Sequence, residues 1–137
     1  MKRHLFRKGI GIALLLAIIF VSGCNKSEKE SGYLSGIISI GPICPVESIP
    51  PDPGCLPTAE TYKAYPVSVY SSDGEKKVTR LNPSLNGSFI CELPAGKYIV
   101  ILENAMNKIG GSNLPANVFI NLRDTTVLNI GIDTGIR

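Results

Sequence analysis

Four cysteines and a single histidine carry most of the reactive side-chain chemistry of this 137-residue chain: Cys24, Cys44, Cys55, Cys91 and His4. A thiolate is a nucleophile and a metal ligand, and two thiols make a disulfide. Spacing sorts the four into different roles. Cys24 follows the small pair Ser22-Gly23 at the end of an apolar run. Small residues leave the backbone open to a peptidase, and the thiol is the one good nucleophile nearby. Cys44 and Cys55 bracket a segment that holds Pro45, Pro50, Pro51 and Pro53 and ends at Gly54. Proline removes ladder donors, so this segment cannot hold itself by sheet pairing. A disulfide closing the ring would hold it, contributing about 2–3 kcal/mol through loop entropy. Cys91 alternates with Phe89 and Leu93 on an apolar face, where a free thiol acts as a small hydrophobe. The pairing read from this layout is Cys44–Cys55 with Cys91 free; Cys44–Cys91 and Cys55–Cys91 are its rivals. Zinc fits poorly, because no His lies nearby and no Cys-x-x-Cys is present. No metal and no cofactor is expected.

Charge narrows the functional classes further. The chain has 14 Lys+Arg and 11 Asp+Glu, a formal +3. Residues 1–23 hold four of the bases (Lys2, Arg3, Arg7, Lys8) and no acid, which leaves 10 bases against 11 acids in the rest. A near-neutral body offers no basic surface for nucleic acid. Met1 to Lys8 is basic, and Gly9 to Val21 is uncharged and almost wholly apolar. At 13 residues this run is shorter than the roughly 20 a spanning helix needs, and it reads as the h-region of a secretory signal. Val21-Ser22-Gly23-Cys24 resembles the bacterial lipobox: aliphatic, small, small, Cys. The resemblance implies that Cys24 receives a diacylglycerol and becomes the mature N-terminus, with palmitate added as a further acyl chain. Two or more acyl chains hold a protein stably on a bilayer. The expected location is extracytoplasmic, on the outer face of the cytoplasmic membrane or on the outer membrane of a bacterium. Removing residues 1–23 also removes His4, so the mature chain would lack the commonest general base and any Ser-His-Asp set. No catalytic residue is assigned, and the protein is read as a non-enzyme.

The elements that would position these residues follow from the pattern after the signal. Three regions are expected: 1–23 a signal helix, 24–32 a polar flexible tether, and 33–137 one folded domain. From Tyr33 the pattern has period two: Leu34, Gly36, Ile38 and Ile40 on one face; then Val67 and Val69; Phe89, Cys91 and Leu93; Tyr98, Val100 and Leu102; Val118, Ile120 and Leu122; Leu128, Ile130 and Ile132. Turn signals separate the runs, among them Ser72-Asp73-Gly74, Asn86-Gly87 and Pro94-Ala95-Gly96. With a weaker strand near Lys77 to Leu81, the pattern predicts about seven short strands, and no segment keeps a 3.6 period for three turns. An all-β, antiparallel sandwich is expected.

Asn86-Gly87-Ser88-Phe89-Ile90-Cys91-Glu92-Leu93-Pro94-Ala95-Gly96-Lys97-Tyr98 resembles the Gly-x-Phe…Leu-Pro-x-Gly-x-Tyr signature of carboxypeptidase regulatory-like domains. The resemblance implies a seven-stranded prealbumin-like (transthyretin-like) sandwich, with Phe89 and Tyr98 as core aromatics on adjacent strands. The segments Gly36 to Val46 and Ile132 to Arg137 look like the opening and closing motifs of a secreted or lipid-anchored bacterial subgroup. The loop Leu81 to Gly87 is longer than the usual turn at that point. Such domains serve as accessory, adhesive or stabilising modules, which implies a surface binding or structural role here, with an envelope polymer or a protein as partner.

Within the proline ring, Glu47-Ser48-Ile49-Pro50-Pro51 resembles the Ser-x-Pro-Pro core of Bowman–Birk-type inhibitory loops. The resemblance implies that Glu47 would enter a protease specificity pocket and Ser48 would follow the scissile bond. Here the ring is about three residues larger, and no Thr precedes Glu47. The competing and preferred reading is a rigid crossover between the first two strands. Other polar candidates are weaker: Asp73-Gly74 as a calcium turn, Asp124 and Asp133 without a partner acid, and Tyr62, Tyr65 and Tyr70 as an exposed aromatic group.

Overall fold

A computed structural model describes residues 30–46, 48–104 and 110–137. The expected signal helix, the expected tether up to Lys29, and Cys24, the expected lipid-anchored residue, lie outside the described residues. Strand β1 (Ser31–Gly41) leads into a 3-10 turn (Pro53–Cys55) and a six-residue helix α1 (Ala59–Ala64). Seven further strands follow: β2 (Val67–Ser71), β3 (Lys77–Arg80), β4 (Ser88–Pro94), β5 (Gly96–Leu102), β6 (Ala116–Ile120), β7 (Thr125–Val127) and β8 (Ile130–Asp133). They form two sheets. In one, β1 lies between β4 on one side and β7 with β8 on the other; in the second the order is β3-β2-β5-β6.

The core between the sheets is built from the period-two residues. Leu34, Ile38 and Ile40 from β1, Phe89 and Leu93 from β4, and Ile130 and Ile132 from β8 face Val67, Val69, Val100, Leu102, Val118 and Ile120 of the second sheet. Full burial of such a side chain is worth about 1.5–3 kcal/mol, so this alternation is what drives the fold. Cys91, Tyr98, Tyr62 and Tyr65 pack at its margin. Leu122 falls beyond the end of β6 and is 40% exposed, so the sixth run is shorter than its alternation implied.

Three departures from the expected sandwich have local causes. First, eight strands are present among the described residues, not seven: β7 is an additional short strand just before the expected run, and that run is in strand only from Ile130 onward, in β8. Residues β7 and β8 share one register against β1: Tyr33 faces Thr125 and Ile38 faces Ile130, the same offset of 92. At the junction between them, the Leu128 amide donates to the Ser35 carbonyl at 2.8 Å, while the Ile37 amide donates to Asn129 Oδ1 at 3.1 Å. A side chain thus replaces a backbone acceptor for one rung, and the ladder resumes beyond it. Gly36 sits against this junction; a Cβ there would lie 1.9 Å from the Leu128 carbonyl oxygen. Second, the sandwich is not wholly antiparallel. Both β7 and β8 run parallel to β1, because the chain leaves β6 in the second sheet and crosses to the first in the β1 direction. Third, α1 was not expected. Its six residues are too few to show a helical period, and it is closed by Thr58 and Thr61, each accepting the other's backbone amide at 3.3 and 3.0 Å.

Order also begins earlier than Tyr33. The Glu30 carbonyl accepts the Ala95 amide at 2.9 Å, and the Ser31 carbonyl accepts that of Arg123 at 2.8 Å. Gly32 is buried, with space for a Cβ filled by the Asn121 carbonyl oxygen at 2.0 Å. The last residues assigned to the tether are therefore the first rungs of the sheet.

Candidate functional site

The disulfide joins Cys44 and Cys55, whose Cα atoms are 5.4 Å apart, and Cys91 is free. The ring hangs from the end of β1. Its root is fastened by Ile43, which packs against the core, and by Thr134, whose amide donates to the Gly41 carbonyl at 3.1 Å and whose hydroxyl donates to the Pro42 carbonyl. Its closing side is a single 3-10 turn capped by Asp52: Oδ1 accepts the Gly54 amide at 2.8 Å, and the Asp52 carbonyl accepts the Cys55 amide at 2.9 Å. Pro53 occupies the first turn position, where a missing N–H costs nothing.

Of the residues singled out in this ring, Ser48, Ile49, Pro50 and Pro51 are all exposed, and Glu47 lies outside the described residues. The Ser48 hydroxyl donates to the Pro50 carbonyl at 3.1 Å. Ile49 is 100% exposed and Val46 78%, so two β-branched apolar side chains stand in water at the rim of a covalently closed loop. Exposed apolar residues standing singly are ordinary on a protein surface.

Cys91 sits half-buried against the core, and burial raises its thiol pKa, an effect partly offset by a hydrogen bond to the Leu34 backbone. It is therefore a poor nucleophile. The other polar candidates are engaged in local structure. Asp73 Oδ1 accepts the Glu75 amide at 2.9 Å and the Ser71 hydroxyl, interactions that lower its pKa; its oxygens cap a turn. Asp124 accepts the Thr125 amide at 2.7 Å. Asp133 takes the Arg137 guanidinium at 2.8 Å and the Gly135 amide at 2.8 Å, which together hold its pKa at about 2. Among the described residues no group of three or more His, Cys, Asp or Glu side chains could hold a metal ion. The three tyrosines do not form one exposed cluster: Tyr62 and Tyr65 pack on the core, and the Tyr70 hydroxyl donates to Glu103 Oε1 at 3.2 Å beside Lys77.

No local sequence pattern marks one further surface feature. On the outer face of the first sheet, Ser39, Gly41, Gly111 and Gly131 floor a shallow, open depression edged by Asn113 and Asp133. Three separate segments build it: β1, β8, and the strip Gly111–Asn113, which pairs antiparallel alongside β8 through the Ser112–Ile132 bridge. A Cβ on any of the three glycines would touch nothing.

No protein-family model matches the chain, and no curated protein matches it. Solved structures do. The minor pilin GBS52 of Streptococcus agalactiae aligns over 77% of this chain and 45% of its own, at 13% identity and a TM-score of 0.50. A DUF3823 family protein from Parabacteroides merdae aligns over 74% of this chain and 45% of its own, at 17% identity and a TM-score of 0.44. The Bacillus anthracis TIE protein aligns over 77% of this chain and 17% of its own, at 16% identity and a TM-score of 0.46. The chain spans less than half the length of each. At 13% identity the likeness to the pilin is one of fold: a two-sheet, mostly β sandwich.

Proposed function

We propose that this protein is a non-catalytic lipoprotein of the bacterial envelope, anchored through a diacylglyceryl thioether at Cys24, whose prealbumin-like sandwich presents the Cys44–Cys55 ring to an envelope polymer or a protein partner. The observation that supports it is the layout along β1. This strand starts at Ser31, seven residues after Cys24, and ends at Gly41, three residues before Cys44. Its 11 residues separate the point where the tether enters from the root of the ring by about 35 Å, at about 3.3 Å per residue. The ring is thus carried at the opposite end of the strand from the lipid. The disulfide suits an oxidising, extracytoplasmic compartment. Expected outcomes are palmitate incorporation that disappears in Cys24→Ala, and cross-linked envelope partners that are lost in Ile49→Asp with the melting temperature unchanged. Identical partner recovery from wild type and Ile49→Asp would show that the ring is only a crossover.

A second reading, protease inhibition, is favoured by the way the ring holds itself. The disulfide and the Ser48–Pro50 hydrogen bond fix an exposed segment in advance, which reduces the ordering cost of docking. A panel of serine proteases that includes a glutamyl-specific enzyme tests it. Inhibition must occur and must weaken in Glu47→Ala.

A further inference from the structure

A sheet edge that is long, regular and unguarded is a template for another strand, and folded proteins usually protect such edges. Among the described residues three of the edges here are protected. Strand β3 has four residues, carries Lys77 and Arg80, and is bulged against β2 at Val69 and Tyr70. Strands β6 and β7 meet across the sandwich, where the Thr126 hydroxyl donates to the Phe119 carbonyl at 2.8 Å. Strand β8 is covered by Gly111–Asn113, with the Asp133 amide donating to the Gly111 carbonyl at 2.7 Å. Strand β4 is the least protected: seven residues paired without a bulge to β1, with no Lys or Arg in Ser88–Pro94 and only Glu92 and the terminal Pro94 to guard it.

The hydrogen-bond alternation shows what this edge offers. The Ile38 amide donates to the Gly87 carbonyl, and the Ala95 amide to the Glu30 carbonyl. Odd-numbered residues of β4 therefore bond to β1, and Ser88, Ile90, Glu92 and Pro94 turn their backbone groups outward. The two ends are satisfied. Ser88 donates to Asn86 Oδ1 and accepts the Ser84 amide; Pro94 has no N–H, and its carbonyl accepts the Tyr98 hydroxyl. The N–H and C=O groups of Ile90 and Glu92 are left without a partner among the described residues.

We propose that β4 pairs antiparallel with β4 of a second copy of this chain, with Ile90 opposite Glu92 of the other copy. Only this two-fold register uses all the free groups, making four backbone hydrogen bonds. Shifting by two residues in either direction places Ile90 opposite Ile90 or Glu92 opposite Glu92, and the next rung then falls on Ser88 or Pro94, whose groups are already engaged. The same register sets Phe89 against Leu93 at both flanks and brings the two Cys91 residues together at the centre in a non-hydrogen-bonded pair. Such a pair has Cα atoms about 4.5 Å apart, within the range a disulfide spans. The two-fold axis is normal to the sheet. The pairing does not depend on membrane anchorage.

The test is oxidation of the full-length protein in cell-derived membranes by copper-phenanthroline, followed by non-reducing electrophoresis and peptide mapping. A dimer joined by Cys91–Cys91 is expected, and Cys91→Ser should abolish it. Ile90→Pro deletes one outward N–H per copy and none that bonds to β1, a placement that edge strands tolerate. It should reduce the cross-linked yield about ten- to a hundredfold, as loss of two ladder bonds implies, while circular dichroism stays unchanged. In Cys91→Ser the dimer should persist without the covalent bond, and sedimentation velocity in detergent should detect it. A monomer in sedimentation, or a cross-link that survives Ile90→Pro, would overturn the proposal.

Discussion

Replacing Gly36 with Ala tests the account of the junction between β7 and β8. The new Cβ would fall 1.9 Å from the Leu128 carbonyl oxygen and 2.7 Å from its carbon, both backbone atoms that no rotamer change can move. The junction between β7 and β8 must withdraw from β1. That withdrawal breaks the Leu128 amide bond to Ser35 and the Ile37 amide bond to Asn129, each worth about 0.5–1.5 kcal/mol net. It also loosens Leu128, which packs on the core, and the flanking Ile130. Loss of half of one such side chain's burial adds about 1 kcal/mol. Against this, Gly→Ala stiffens the unfolded chain and returns about 0.4–1 kcal/mol. The net expectation is a loss of about 2–3 kcal/mol, or roughly 10–20 °C in Tm for a domain near 100 residues. Gly131→Ala is the matched control. It lies in β8, three residues beyond Leu128, its Cβ would meet nothing within 4 Å, and it should be neutral or slightly stabilising. Urea denaturation of both variants, with equal m-values, measures the difference. If Gly36→Ala falls within about 0.5 kcal/mol of Gly131→Ala, the close approach of Leu128 to β1 is wrong.

Three further outcomes are expected. Cys55→Ser opens the ring and should lower stability by about 3 kcal/mol by the chain-entropy relation for 12 residues, with no new cross-link at Cys91; an unchanged urea midpoint would place the ring outside the cooperative unit. Asp133 has its pKa lowered from 3.8 to about 2, first by the hydrogen bond from Arg137 and then by that from Gly135. A depressed carboxylate contributes stability that is present above the unfolded value and is lost as pH falls through the folded one, here between 3.8 and about 2. In Arg137→Gln, carbonyl-detected NMR titration should show the Asp133 midpoint moving back toward 3.8, and an unmoved midpoint would rule out Arg137 as the main cause. The thiol of Cys91, raised by burial, should react slowly with a disulfide reagent at neutral pH and quickly once urea unfolds the domain; equal rates would contradict its place at the core margin.

Local physics made much of this protein legible. Period-two burial is a property of each strand alone, so Leu34, Ile38 and Ile40, or Phe89 and Leu93, could be placed on the inner face before any partner was known. The ring was legible for a similar reason: prolines deny the segment a ladder, and two cysteines 11 apart supply the alternative closure. What only the tertiary structure decided depends on segments that meet across long stretches of chain. The pattern Leu128, Ile130, Ile132 reads as one strand, and it is in strand only from Ile130 because Asn129 reaches Ile37, 92 residues away. The same approach makes Gly36 indispensable, whereas by sequence it was one more residue on an apolar face. Parallel pairing of β7 and β8 with β1 follows from the crossing after β6, which no local signal encodes. Edge status is likewise a property of the assembled sheet. The run Ser88–Pro94 alternates like its neighbours, and only the positions of the other strands leave the backbone of Ile90 and Glu92 facing outward.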